Sequence, residues 1–355
     1  MICIISRTEG QGHGAEIVLE ELLRAWTYPK TKLLIVSPPN SRILKVAEEL
    51  GYENIPLIIK KEKILINIIY ILKLKPYLKK IKLIHAWQAK SYEIGYFLSK
   101  LLNVPLYVTL HDHPLSNIYV WKKQKIIRFV ANRSQKVVCV SNAVKVECQN
   151  AGYRNNLIVI NNGLKNSLKN SIIKKNNYTR IRIGFLGMYA VSKGFDIVAN
   201  YIEDLSTAEN LEWHLYGTIH KNYLDVSEML KNKYFGKVFF HGDKHSSQIF
   251  SNIDLLLHCS VSFDSYPTVL LEAARAGIPV IASNLGGASE IVLHNITGYL
   301  FNPKNPEIAK EYIKKLLESA KLRDEMGTNA KKHFESDLTV EMMVRKYHEL
   351  WVSND

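Results

Sequence analysis

Cysteine is scarce in this 355-residue chain, and the four that occur, Cys3, Cys139, Cys148 and Cys259, show neither CxxC spacing nor a histidine in metal register. That argues against a disulfide-stapled scaffold and a zinc module, and reads as buried, reduced thiols. The twelve histidines form no HExxH helix, and the close pair His111 and His113 would alternate faces in a strand, so neither a metal nor another cofactor is expected. Long apolar runs are also missing. The longest, Ile64 to Leu72, has nine residues and is interrupted by Asn67, against about 20 for a bilayer span. Met1 to Ser6 reads as a strand followed at once by Arg7, Thr8 and Glu9, which argues against a secretory signal; a cytoplasmic protein starting at residue 1 is expected. Acidic residues are sparse in one half only. Residues 1–176 hold 28 Lys and Arg against 11 Asp and Glu, a net of +17, whereas the remainder holds 19 against 22, a net of −3. A field of that sign attracts nucleic acid or an anionic membrane, although an AT-rich genome favouring Lys, Asn and Ile codons would also raise lysine.

What is present is core-forming material, 47% hydrophobic, enough for two ordinary α/β domains. In the first half, β-branched runs at Ile2 to Ser6, Lys32 to Ser37, Leu83 to His85, Leu106 to Leu110, Lys136 to Ser141 and Leu157 to Ile160 alternate with amphipathic stretches. A polar stretch follows, Lys165 to Arg180, with four Asn and four Lys. The pattern then restarts, with strands expected at Ile181 to Leu186, Trp213 to Tyr216, Lys237 to Phe240, Leu255 to His258 and Pro279 to Ala282. The fold class is therefore α/β, with two doubly wound Rossmann-like domains facing each other across a cleft. The expected boundaries are 1–168 for the first domain, 169–180 for a linker, 181–339 for the second domain and 340–355 for a terminal helix packing back on the first.

The richest window runs from Phe263 to Val280. Pro267 and the helix formers after it place a helix start near Tyr266, and Gly277 with Pro279 ends the helix before a strand. Free amides at the helix start between Tyr266 and Val269 would face a phosphate, Glu272 a ribose diol and Asp264 the hydroxyls of a sugar. The competing reading of these acids is a solvated loop acid and a helix-capping acid. Two acids in this register around a turn, followed by Ala273-Ala274-Arg275-Ala276-Gly277-Ile278-Pro279 and Gly286-Gly287-Ala288-Ser289-Glu290 with Thr297-Gly298, resemble the family 4 retaining glycosyltransferases of the GT-B fold, also known as glycosyl transferases group 1. A second matching stretch is the strand and glycine turn from Ile183 through Gly184, Gly187 and Lys193 to Gly194. The family has an Arg where this chain has Met188; Lys193 matches the family lysine on the donor diphosphate, or is a plain surface lysine.

The first domain repeats the resemblance with weaker motifs. Gly10, Gly12 and Gly14 follow the first strand where the family has its own glycine stretch, and a plain tight turn is the competing reading. His111 ends a strand, where the resemblance implies contact with the transferred sugar; a capping or core histidine is the alternative. His85 is similarly placed and reads as structural. Val140-Ser141-Asn142-Ala143 and Asn161-Asn162-Gly163 also match, with Asn161 replacing the usual Pro. The segment Lys60 to Lys82, with eight Lys and one acid, would make a cationic amphipathic helix suited to an anionic inner leaflet, or an ordinary helix packed on the sheet.

The resemblance implies a metal-independent retaining hexosyltransferase with a nucleotide-sugar donor, UDP-sugar favoured and GDP-sugar possible. The expected acceptor is a glycan or lipid-linked hydroxyl in cell-surface polysaccharide (capsule or lipopolysaccharide) synthesis. His111, Asp264 and Lys193 are the expected catalytic group, and Gly12, Gly14, Gly187, Lys193, Tyr266, Pro267, Thr268, Val269 and Glu272 the donor contacts. Peripheral attachment to the cytoplasmic face of the membrane through the basic half is expected, and nucleic acid is not. A donor-binding but inactive partner subunit and a sugar-nucleotide epimerase are the alternatives.

Overall fold

The structure is a computed structural model that describes residues 1–7, 14–28, 33–57, 75–116, 121–154, 156–166 and 180–352. The chain forms two compact units, Met1–Lys165 with Val340–Asp355 and Asn166–Thr339. Most of the stretch expected as a linker, and the apolar heart of the Lys60 to Lys82 segment, lie outside the described residues.

The first unit is built on seven strands: β1 (Ile2–Ile5), β2 (Leu33–Ser37), β3 (Glu53–Pro56), β4 (Leu83–Ala86), β5 (Leu106–Leu110), β6 (Lys136–Cys139) and β7 (Leu157–Val159). They are all parallel, in the order β3-β2-β1-β4-β5-β6-β7. Helices α1 (Gly14–Ala25), α2 (Arg42–Glu49), α3 (Tyr92–Leu102), α4 (Trp121–Ala131) and α5 (Asn142–Asn150) lie between the strands. Because helices cover both faces of such a sheet, its central strands are almost wholly apolar, and β1, β2 and β5 are buried throughout.

The second unit has six parallel strands, β8 (Ile181–Leu186), β9 (Leu211–Tyr216), β10 (Val238–Phe240), β11 (Leu255–His258), β12 (Val280–Ser283) and β13 (Gly298–Phe301), in the order β10-β9-β8-β11-β12-β13. Its helices are α6 (Phe195–Leu205), α7 (Leu224–Lys233), α8 (Ser246–Phe250), α9 (Thr268–Ala276), α10 (Glu307–Glu318) and α11 (Ala320–Asp337). The last helix, α12 (Val340–Val352), belongs to the first unit. Its Val340, Met343, Val344, Tyr347 and Trp351 are buried with Ile4, Leu19 and Ile35 in one core.

Two edge strands go beyond the sequence expectation. β3 reads Glu-Asn-Ile-Pro, with too few apolar residues to signal a strand, and Pro56 suits an edge because it has no N–H to donate to a ladder. β13 opens on Gly298, which hides its short apolar run. In both sheets the strand order reverses at the first strand, between β1 and β4 and between β8 and β11. Loops leaving the carboxyl ends of those strands diverge there and leave a crevice for a ligand.

Candidate active site

In the second unit the loops after β8 and β11 form one interlocked structure. β8 runs into Gly187, Met188 and Tyr189, a short turn at Val191–Lys193 and then Gly194, which opens α6. Tyr189 is buried and stacks on Phe195 with ring centroids 4.7 Å apart, anchoring the loop from below. The Ser192 carbonyl accepts hydrogen bonds from Val261 N (3.1 Å), Ser262 N (3.3 Å) and Ser260 Oγ (3.0 Å). Gly194 sits at φ +69, and a Cβ there would fall 1.8 Å from the Cys259 carbonyl oxygen. Glycine is what lets the two loops touch.

The junction positions Lys193 and Asp264. Lys193 Nζ lies 3.1 Å from Asp264 Oδ2, with both side chains partly exposed. The Asp264 backbone is seated on a second glycine contact: its carbonyl accepts from Gly287 N at 2.9 Å, and a Cβ on Gly286 (φ +60) would lie 1.9 Å from the same oxygen. The stem of Lys193 runs past Gly187, whose Cβ would touch Lys193 Cγ at an ordinary 3.8 Å. Gly187, Lys193 and Asp264 are thus brought together, whereas Met188 is exposed beside them and carries no charge.

The chain continues from Asp264 through Ser265, Tyr266 and Pro267 into helix α9, which begins at Thr268 with Pro267 as N-cap and no side-chain cap on its amides. Leu270 N donates to the Pro267 carbonyl at 3.1 Å, and the amides ahead of it, at Thr268 and Val269, carry the partial positive charge that a helix start offers an anion. Tyr266 is 4% exposed, its hydroxyl has no hydrogen-bond partner among the described residues, and burial pushes its phenol up. Pro267 is also buried, so this turn offers a ligand the helix start rather than the Tyr266 or Pro267 side chains. Thr268, Val269 and Glu272 are half-buried on α9, with Glu272 just over one turn inside.

His258, at the end of β11, joins this group although sequence reasoning passes over it. Burial lowers its imidazole to about 4; Asp264 acts to raise it and Lys193 to lower it further, so the field of the ion pair reaches the ring. Its strand-end position is the same signal that draws attention to His111.

The remaining expected residues belong to the first unit. His111 follows β5 with its ring centroid 5.4 Å from that of Trp87. Burial lowers it to about 4, against an opposing hydrogen bond to the Trp87 backbone, and its buried Nε2 has no hydrogen-bond partner among the described residues. His85 is structural: Trp351 Nε1 donates to its Nδ1 at 2.9 Å, and its Nε2 lies 2.7 Å from Thr109 Oγ1. The Trp351 bond fixes the tautomer, leaving the proton on Nε2 to be donated to Thr109. Ser141 caps α5, its Oγ accepting from Val144 N at 3.1 Å. Gly14 opens α1, with open space where a Cβ would stand, and Gly12 lies outside the described residues. Among the described residues no group of three or more His, Cys, Asp or Glu is placed to hold a metal ion, and no helix is long and apolar enough to cross a membrane.

Comparison with known proteins agrees with this architecture. Residues 167–333 match the family Glycosyl transferases group 1, and residues 12–167 match Glycosyltransferase Family 4. The uncharacterized glycosyltransferase MJ1178 of Methanocaldococcus jannaschii is 30% identical over 269 residues, covering 72% of this chain and 71% of that protein. The capsular polysaccharide biosynthesis glycosyltransferase CapM of Staphylococcus aureus is 24% identical over 166 residues, covering 45% of this chain and 43% of its own. Anabaena Alr3699/HepE, solved in complex with UDP, has a TM-score of 0.84 at 21% identity, covering 99% of each chain. The fold is GT-B, and the chain belongs to the group 1 glycosyltransferases.

Proposed function

We propose that this chain moves a sugar from a UDP-sugar, with a GDP-sugar as second choice, to a hydroxyl of a glycan or lipid-linked acceptor in surface-polysaccharide synthesis. Transfer proceeds with retention at the anomeric carbon and without a metal ion. The observation that carries this reading is Lys193 held 3.1 Å from Asp264 on interlocked loops, in the same unit as the uncapped start of α9. The UDP bound to HepE and the capsular role in the name of CapM support the donor and the pathway class.

As the bond between the anomeric carbon and the phosphate oxygen breaks, its electron pair and a negative charge pass to the diphosphate, while the acceptor hydroxyl oxygen bonds to the anomeric carbon and its proton passes to the departing phosphate oxygen. Lys193 and the α9 amides stabilise that charge, which is the task a metal would otherwise perform. Glu272 accepts hydrogen bonds from the ribose, and Asp264 from hydroxyls of the sugar. His111 is neutral above about pH 4, so its Nε2 can hydrogen-bond a sugar without adding charge.

The test is turnover of UDP-, GDP- and ADP-sugars by the purified protein, with and without membrane lipid extract and with EDTA present. Extract-dependent release of UDP that survives EDTA and falls about 10²- to 10³-fold in Lys193→Ala supports the proposal. UDP binding without turnover would instead assign an inactive partner subunit, and donor conversion without acceptor an epimerase.

A further inference from the structure

The first unit carries an exposed face that the transfer chemistry does not use. Trp121, Phe97 and Leu101 are 60%, 55% and 57% exposed, and Ile126 and Phe129 are exposed beside them. All five lie on α3 and α4, which meet where Tyr96 packs edge-on against Phe129 with centroids 5.9 Å apart. On α4, Trp121, Lys125 and Phe129 follow at intervals of four, with Lys122 and Ile126 on the adjoining stripe. Phe97 and Leu101 repeat the interval on α3, next to Lys100.

The charges on this face have one sign. Helix α4 carries Lys122, Lys123, Lys125 and Arg128 and no acid, and the single acid of α3, Glu93, is paired with Lys123. Lys122 and Lys125 flank the Trp121 ring at 5.6 and 4.6 Å, and Arg133 lies 3.6 Å from the Phe129 centroid. Aromatic and aliphatic tips interleaved with cations on flexible stems fit the boundary of an anionic bilayer, where rings enter the headgroup layer and ammonium groups meet phosphates. Nucleic acid would match the cations and Trp121 but leave Phe97, Leu101 and Ile126 in water.

The face also connects to His111. The chain leaves β5 through that residue, and its 111–116 segment returns to α4, where Gln124 Nε2 donates to the Ser116 carbonyl at 3.0 Å. We propose that the exposed face of α3 and α4 docks this protein on an anionic membrane surface, close in sequence and structure to His111. The inference deepens the lipid-linked reading of the acceptor, and its test omits the donor so that the two can fail separately.

Full-length protein is floated with vesicles of phosphatidylcholine alone and of phosphatidylcholine with phosphatidylglycerol. Binding is expected only to the anionic vesicles, weakening with salt, with a blue shift in emission from the exposed Trp121. The double variant Lys122→Glu with Lys125→Glu should lower partitioning by about tenfold or more, and Trp121→Ser with Phe129→Ser should remove the blue shift. Both should keep the unfolding temperature and UDP affinity of the parent. Absence of binding to anionic vesicles overturns the proposal, as does parental binding by both variants. So does a face that instead joins two copies, seen as a parental dimer that both variants dissolve while vesicle binding stays unchanged.

Discussion

Substituting Gly286 by alanine tests whether the seat of Asp264 is built as described. The new methyl would lie 1.9 Å from the Asp264 carbonyl oxygen and 2.7 Å from its carbon, both backbone atoms, so the Asp264 loop must retreat. Retreat breaks the 2.9 Å hydrogen bond from Gly287 N and pulls the carboxylate from Lys193. A non-glycine residue in the left-handed region costs about 1–2 kcal/mol, and the lost hydrogen bond about 0.5–1.5 kcal/mol. The expected destabilisation is therefore about 1.5–3.5 kcal/mol. Gly236→Ala provides the control, because that glycine has φ +75 but nothing within 4 Å of its Cβ position. It should show the backbone cost alone. Displacing a reactive group by roughly 1 Å can reduce turnover about 10²-fold, so Gly286→Ala should lose activity well beyond its loss of stability while Gly236→Ala should not. Urea unfolding and UDP-sugar turnover of the two variants make the comparison. Equal turnover in both would refute the claim that the Gly286 contact positions Asp264.

Three further outcomes are expected. Asp264→Asn removes the resting partner of Lys193, and because that pair is partly exposed it should change stability by less than about 1 kcal/mol; calorimetry should show tighter UDP binding while turnover falls. Glu272→Ala should weaken UDP binding by about 10- to 100-fold, the worth of hydrogen bonds to a charged group, and unchanged affinity would remove Glu272 from the site. His85, lowered to about 3 by burial, takes up its proton in the unfolded chain first, so its contribution to stability is full above about pH 6.5 and is lost as the pH falls towards 3. The loss should approach about 1.4 kcal/mol per pH unit, and urea unfolding of His85→Gln should show a shallower slope between pH 6 and about 4.

Much of the fold is legible in the sequence because buried parallel strands carry a strong signal: the runs at β1, β2 and β5 are apolar with β-branched residues, β8 and β11 are mostly apolar, and the pattern visibly restarts after the polar stretch. The edge strands β3 and β13 are not legible, since one is polar and the other opens on glycine. At the site, Lys193 and Asp264 can be named from the resemblance of their motifs to the family, but their direct pairing cannot. It depends on Gly194 and Gly286 letting backbones from distant parts of the chain touch. The inward turn of Tyr266 is also hidden, because a tyrosine at a helix start can face either way. His85 and His111 both follow the strand-end pattern; the difference between them comes from Trp351, which reaches His85 from the far end of the sequence.

The weakness of the Lys193–Asp264 pair suits the proposed chemistry. Between partly exposed groups such an interaction is worth about 0–1 kcal/mol, so it can order both side chains without competing strongly with a ligand. A diphosphate brings more negative charge than one carboxylate and would also meet the α9 amides, adding about 0.3–1 kcal/mol from the helix dipole. On the proposed mechanism, exchange of partner by Lys193 would then run in favour of the donor. It would release the Asp264 carboxylate as the sugar arrives, when its oxygens would accept hydroxyl hydrogens. A permanently stronger pair would hold Asp264 back, and no pair would leave a lysine with many rotamers to order on binding. The glycine contacts would complete that arrangement, since close backbone packing at Gly194 and Gly286 favours a change of partners by the side chains alone.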